Sequence, residues 1–172
     1  MKFLNFYIFM NFFLVKNLAL NDTLITGKWY QLWSNRYVQE TSEIDWNCVK
    51  LDIHYINNLY TFNKTAIIHN NHDIHIKKNL TYLLSDKDDK FYPYPYQTIV
   101  NPIIEIKIFG EISNNQYDYL VLTGNDNLSM FTIVRDINVF NEKYIHQVSN
   151  LLFKYNYTGY YKSPLSSFTN IC

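Results

Sequence analysis

Residues 48–55 alternate without interruption. Val49, Leu51, Ile53 and Tyr55 fall on one side; Cys48, Lys50, Asp52 and His54 fall on the other. Successive side chains of a strand point to opposite faces, so a two-residue period held over this length specifies a half-buried antiparallel strand. The rest of the chain follows the same rule at short intervals. Asn57-Asn58 reads as a tight turn, a strand follows from 59 to about 68, Asn70-Asn71 makes another turn, and a third strand runs from about 73 to 84. Residues 85–90, Ser-Asp-Lys-Asp-Asp-Lys, read as a solvated loop. Residues 91–100 form a weaker strand, because Pro93 and Pro95 lack the N–H a ladder needs and demote its first half to an edge or lip. Strands at 103–112, 117–123 and 128–136 complete the series, joined by the hairpin-like turns Ser113-Asn114-Asn115 and Gly124-Asn125-Asp126-Asn127.

With residues 29–37 this gives eight strands in meander order. Regular short strands imply a sandwich or a barrel. An even count with no crossover helix favours an all-β, eight-stranded antiparallel up-and-down barrel, which leaves no open edge. The period then changes. Ile145, Val148, Leu152 and Tyr155 recur at three- and four-residue spacing, Asn141 can act as N-cap, and Glu142 suits the helix dipole. One amphipathic helix over about 141–156, packed outside the barrel and ended by Gly159, is expected, followed by a tail to Cys172.

The 172 residues suit one domain, and 18% aromatic content supplies ample core material. Formal charge is zero. Residues 1–20 hold Lys2 and Lys16 and no acid; removing two of the fifteen bases leaves thirteen against fifteen acids, a net of −2. No basic footprint for nucleic acid results. The opening stretch has one early lysine, a greasy middle and Ala19 at its end, the pattern of a signal peptide cut near residue 20. The expected organisation is therefore a leader over 1–20 and a barrel domain over 21–172, secreted. Sequons begin at Asn21, Asn63, Asn79, Asn127 and Asn156 and permit glycosylation. An even pair of cysteines, Cys48 and Cys172, favours a disulfide in a secreted protein. Its loop of about 125 residues would contribute about 4–5 kcal/mol in the entropic model.

Three short motifs stand in a fixed order: Gly27-Lys28-Trp29-Tyr30, Tyr117-Asp118-Tyr119 and Val134-Arg135-Asp136. Their order and spacing resemble the lipocalin family over nearly the whole chain after the leader. The chain looks most similar to the branch holding apolipoprotein D, insect bilin-binding proteins and bacterial outer-membrane lipocalins, through Cys48-Val49 on the second strand, Phe131-Thr132-Ile133-Val134-Arg135 ending the eighth, and a C-terminal Cys. The resemblance implies a calyx whose closed end is filled by Trp29, with Gly27 allowing close backbone passage and Arg135 lying over the indole. It implies a Cys48–Cys172 bridge. It departs from the bacterial members in having no cysteine at the end of the leader, so lipidation is not implied.

Strand alternation nominates the ligand-facing residues: Val49, Leu51, Ile53 and Tyr55; Ile104, Ile106 and Ile108; Tyr117, Tyr119 and Val121; and an aromatic lip that includes Tyr94 and Tyr96. The expected partner is a small hydrophobic molecule (lipid, fatty acid, retinoid or tetrapyrrole), held for transport, storage or sequestration without cofactor or metal; peripheral lipid association stays open. His69, His72 and His75 flank a turn without evident convergence, and read as solvated. Asp86, Asp88 and Asp89 lack the spacing of a calcium loop. An enzyme is not expected: Cys48 as nucleophile requires a free thiolate, and neither a nucleophile elbow nor a phosphate loop is present. The alternative is a secreted interaction protein that engages a partner through its loops.

Overall fold

The computed structural model describes residues 22–69, 75–87, 90–94, 103–124 and 127–167. The expected leader over 1–20, Asn21, His72, Tyr96 and Cys172 lie outside the described residues, as do the side chains of His69 and His75.

A short helix α1 (Asp22–Ile25) leads into β1 (Gly27–Asn35), then α2 (Arg36–Thr41). The strands β2 (Trp46–Ile56), β3 (Leu59–His69), β4 (His75–Lys87), β5 (Lys90–Pro93) and β6 (Ile104–Phe109) follow. A small hairpin, β7 (Ile112–Ser113) and β8 (Gln116–Tyr117), precedes β9 (Tyr119–Gly124) and β10 (Met130–Val134). The chain ends in α3 (Ile137–Lys143), α4 (Ile145–Lys154), α5 (Gly159–Lys162) and β11 (Pro164–Ser166).

Hydrogen-bonded order in the sheet is β10-β9-β6-β5-β4-β3-β2-β1-β11, and β10 also pairs with β1. That second pairing closes an eight-stranded antiparallel barrel. Every neighbour is the next main strand in sequence, as a meander requires. Two of the tight turns are built on consecutive asparagines in the left-handed region, Asn57 and Asn58 (φ +53° and +61°) and Asn114 and Asn115 (φ +50° and +59°). Both central residues of a type I′ turn need positive φ, which asparagine tolerates better than other side chains.

The strands bury two faces, each against a different core. The inner cluster includes Trp29, Val49, Leu51, Ile53, Tyr60, Phe62, Phe91, Ile106, Leu120, Leu122 and Ile133. The outer cluster joins Trp33, Ile108, Tyr119, Val121, Met130 and Val134 to Phe140 of α3, Tyr144 between the helices, and Val148 and Leu152 of α4. Three sequence expectations change here. β1 ends at Asn35 rather than 37, because the Asn35 side chain accepts a hydrogen bond from the Val38 N–H and caps α2. Residues 85–87 and 90 of the expected loop are strand. The single helix over 141–156 is two helices that start earlier: Asp136 caps α3 by accepting from the N–H groups of Asn138 and Val139, at 2.8 and 3.0 Å. Tyr144 breaks the run between α3 and α4, with its hydroxyl donating to Asp118 (2.7 Å) and Glu111 (3.2 Å).

Candidate functional site

The direction of the strands separates the barrel's two ends. The β2–β3, β6–β9 and β10–α3 connections lie at one end, beside the start of β1. The β1–β2 and β9–β10 connections lie at the other.

At the first end Trp29 is fully buried, and its indole N–H donates to the Ile25 carbonyl at 2.8 Å. The Arg135 guanidinium stacks on the indole with its carbon 3.6 Å from the ring centroid. Its Nη1 donates to the Lys28 carbonyl at 2.9 Å, and Nη2 to those of Thr26 (2.8 Å) and Ile25 (3.1 Å), with Leu24 at 3.4 Å. Burial pulls the guanidinium down to about 10, which leaves it charged at neutral pH. Gly27 sits at φ +103°, and a Cβ there would meet Arg135 Nη1 at 3.1 Å. Asp118 accepts from Ser113 Oγ as well as from Tyr144, so the Tyr117-Asp118-Tyr119 motif ties the closed end to the helices. Tyr144 ionises above the usual tyrosine range, through burial first and then its bonds to Asp118 and Glu111.

Above this plug the inner face is filled by rings. Tyr60, Phe62 and Phe91 meet edge-on, with centroids 5.0 to 6.3 Å apart. Tyr60, Phe91, Ile53 and Leu84 have at most 2 % of their surface exposed. Toward the open end the inner face loosens. Ile68 is registered with Trp46, Leu80 with Lys64, Tyr82 with Phe62, Ile104 with Phe91, and Phe131 with Leu122. Residues directly opposite share a face, so all five point inward, yet all stay half-buried.

The nominated lining residues separate accordingly. Val49, Leu51, Ile53 and Ile106 belong to the inner cluster, and Ile104 and Tyr117 pack against it, the latter beside Phe109 at 5.3 Å near the plug. Tyr55 and Tyr94 are exposed. Three assignments are corrected. Ile108, Tyr119 and Val121 lie in the outer cluster under the helices. A bulge at Lys107 shifts β6 by one residue against β9, and a one-residue slip exchanges the faces, so Ile106 points in and Ile108 out. In β9 both parities are apolar, and the inward pair is Leu120 and Leu122. A second bulge places Cys48 and Val49 together opposite Ala66, with Cys48 at φ +46° and 3 % exposed.

The inner face also carries polar groups that alternation alone did not single out. Lys64 projects from β3 into the barrel and is 8 % exposed. Its ammonium pairs with the carboxylate of Glu43, itself 6 % exposed, and lies 4.6 Å from the Phe131 ring centroid and 5.4 Å from that of Trp46. Gln31 Nε2 donates to the other Glu43 oxygen at 2.6 Å, while Gln31 Oε1, also buried, has no donor among the described residues. Removing either ion alone would strand a buried charge, at a cost of about 3–5 kcal/mol. Tyr82 ionises above its ordinary range because it is buried and because Glu43 is near. Glu43 belongs to the β1–β2 connection: its N–H donates to the Val38 carbonyl at 3.0 Å and its carbonyl accepts from Trp46 at 3.1 Å. The signal for Lys64 was in the sequence, since Tyr60, Phe62, Lys64, Ala66 and Ile68 form one stripe. Glu43 has no local signal; only the fold carries it to the barrel mouth.

No protein-family model and no curated protein sequence matches the chain. Solved structures do. Japanin from Rhipicephalus appendiculatus, bound to cholesterol, aligns at 13% identity over 90% of this chain and 100% of its own, with a TM-score of 0.55. Apocrustacyanin C2 aligns at 12% identity over 91% of this chain and 83% of its own, with a TM-score of 0.58. Both are lipocalins. With a closed eight-strand meander, a tryptophan plug stacked under arginine and helices outside the wall, this chain has the lipocalin fold.

Proposed function

We propose that the protein binds a small apolar molecule in the upper half of the barrel and acts as a carrier or sequestering protein. The observation that carries this reading is the inward ring of Ile68, Leu80, Tyr82, Ile104 and Phe131. These side chains face the lumen and remain half-buried above a floor packed by Tyr60, Phe62 and Phe91. Apolar surface held in a concave, partly open site is what a small ligand covers, at about 25 cal/mol per Å² removed from water. The cholesterol-bound neighbour is in keeping with this class of ligand.

In this reading the chain is secreted after cleavage near residue 20, is glycosylated at some of its sequons, and is bridged between Cys48 and Cys172. The path of the tail favours the bridge. β11 lies on the β1 edge that β2 occupies lower down, and the Ser167 N–H donates to the Leu32 carbonyl at 2.8 Å. Lys50 pairs with Tyr30, which puts Cys48 at a similar height on β2, and only the short stretch from Ser167 to Cys172 has to span the gap. A second reading, an interaction protein, draws on the exposed aromatics Phe153, Tyr160 and Tyr161. Native mass spectrometry of the protein secreted from a eukaryotic host, repeated after organic extraction, separates the two. A co-purifying small molecule on a bridged chain starting near Asn21 supports the carrier. An empty protein that takes up no fatty acid, retinoid, sterol or tetrapyrrole refutes it in favour of the second reading.

A further inference from the structure

We infer that Lys64 is the recognition point for the anionic head of an amphipathic ligand, and that Glu43 is a tethered stand-in for that head, holding the β1–β2 connection over the mouth until the ligand displaces it. The inference rests on the carrier reading and names its ligand class: a carboxylate, or an equivalent small anion, on an apolar tail.

Lys64 sits in the interior of the sheet, paired on one side with Leu51 of β2 and on the other with Leu80 of β4. Its charge faces an apolar lumen and must be compensated there. The compensating carboxylate comes from elsewhere. Glu43 reaches in from the connection between β1 and β2, and its backbone is held by α2 through Val38 and by the first residue of β2. α2 in turn leans on α5, where Arg36 stacks on Tyr160 at 4.1 Å and donates to its hydroxyl at 2.8 Å. One partner of the buried pair is therefore wall and the other is lid. If the lid lifts, Lys64 keeps its two aromatic neighbours, Trp46 and Phe131, and loses its counter-ion.

The surroundings match an incoming anion with a tail. The ammonium lies over Phe131, Leu80 is the register partner of Lys64 on β4, and Tyr82 follows Leu80 on the same inward face; all three offer half-buried surface. Gln31 supplies a second donor, the Nε2 that now bonds Glu43, and its buried Oε1 has no donor among the described residues. An acidic head that re-forms the pair with Lys64 and accepts from Gln31 restores every charge-assisted bond that the departing Glu43 gives up. A neutral head cannot, and must leave the lid closed or the ammonium uncompensated. As an intramolecular competitor of millimolar effective concentration, Glu43 also sets the threshold that a free acid must exceed.

The test uses the full-length secreted protein and displacement of the neutral fluorophore N-phenyl-1-naphthylamine by decanoate and by decan-1-ol. Decanoate is expected to displace it at about tenfold lower concentration than the alcohol. Glu43→Gln should strengthen decanoate by about another tenfold and leave decanol unchanged. Lys64→Met should abolish the preference, and Lys64→Arg should retain it. Uptake of the fluorophore with equal displacement by acid and alcohol in the unmodified protein overturns the inference and leaves the carrier reading standing. Absence of any uptake of fluorophore, acid or alcohol overturns both. The comparison on the unmodified protein requires no variant to fold, and Glu43→Gln, which keeps a side chain of the same shape, gives a second reading if Lys64→Met does not.

Discussion

Replacing Arg135 by methionine removes the group that seals the closed end while keeping an unbranched side chain over Trp29. Nη2 has two hydrogens and approaches three carbonyls, so two full bonds are counted for it, to Thr26 and Ile25, and one for Nη1, to Lys28. Each contributes about 1 kcal/mol net, because water can reach these carbonyls once the guanidinium is gone. The stack on Trp29 adds about 1 kcal/mol at this half-buried position. About 1 kcal/mol is returned, since the variant no longer desolvates a cation whose Nε has no acceptor among the described residues. The expected loss is about 3 kcal/mol, or roughly 6–12 °C in Tm for a chain of this size. Urea denaturation followed by tryptophan fluorescence measures it. Arg135→Lys should lose about 2 kcal/mol, because a point charge cannot serve three carbonyls and lie flat on an indole at once. If Arg135→Met costs less than about 1 kcal/mol, or if lysine restores full stability, the guanidinium is not what seals this end.

Gly110→Ala should destabilise by at least about 2 kcal/mol in the same assay, because a Cβ there would sit 2.6 Å from the Tyr119 carbonyl oxygen. Gly159→Ala, at φ +83° with nothing within 4 Å, should cost only about 1 kcal/mol. Leu80→Ala at the mouth should weaken ligand uptake several-fold with little change in Tm, whereas Ile53→Ala in the packed floor should cost about 2–4 kcal/mol; the opposite pattern would relocate the site to the floor. The raised ionisation of Tyr144 makes its neutral form the native one. Its contribution to stability is complete below the free-tyrosine value of about 10 and is lost as pH climbs beyond it. Tyr144→Phe should flatten the fall in stability between neutral pH and about 11, measured by urea midpoints.

The barrel was legible because its strands obey one rule. A period of two with asparagine turns gave strand number and order, and the spacing of Gly27, Trp29 and Arg135 resembled a known plug. What failed were the places where a strand changes its own parity. The bulge at Lys107 adds one residue to β6 and turns Ile108 outward, and nothing in Ile-Glu-Ile-Lys-Ile marks where it falls. β9 reads Tyr-Leu-Val-Leu because both of its faces are buried, one by the lumen and one by α3 and α4, so alternation could not choose between them. The earlier start of α3 was hidden by Asp136, a cap that also ends the arginine motif. Glu43 was beyond any local reading, since its role depends on a lysine two strands away.

The seam in β1 has a consequence for how the chain must assemble. Only Gly27 to Tyr30 pair with β2, the strand made next. Trp33, Ser34 and Asn35 wait for Thr132 and Phe131 of β10 on one edge and for β11 on the other. Contacts between such distant parts of a chain form slowly, and an unpaired strand edge is a template for the wrong partner. During synthesis the first strand is therefore half-dressed until the last residues emerge. Truncations that remove only β11 should lower the yield of folded protein far more than their few lost hydrogen bonds would suggest, through aggregation of an open barrel rather than through weakened native stability.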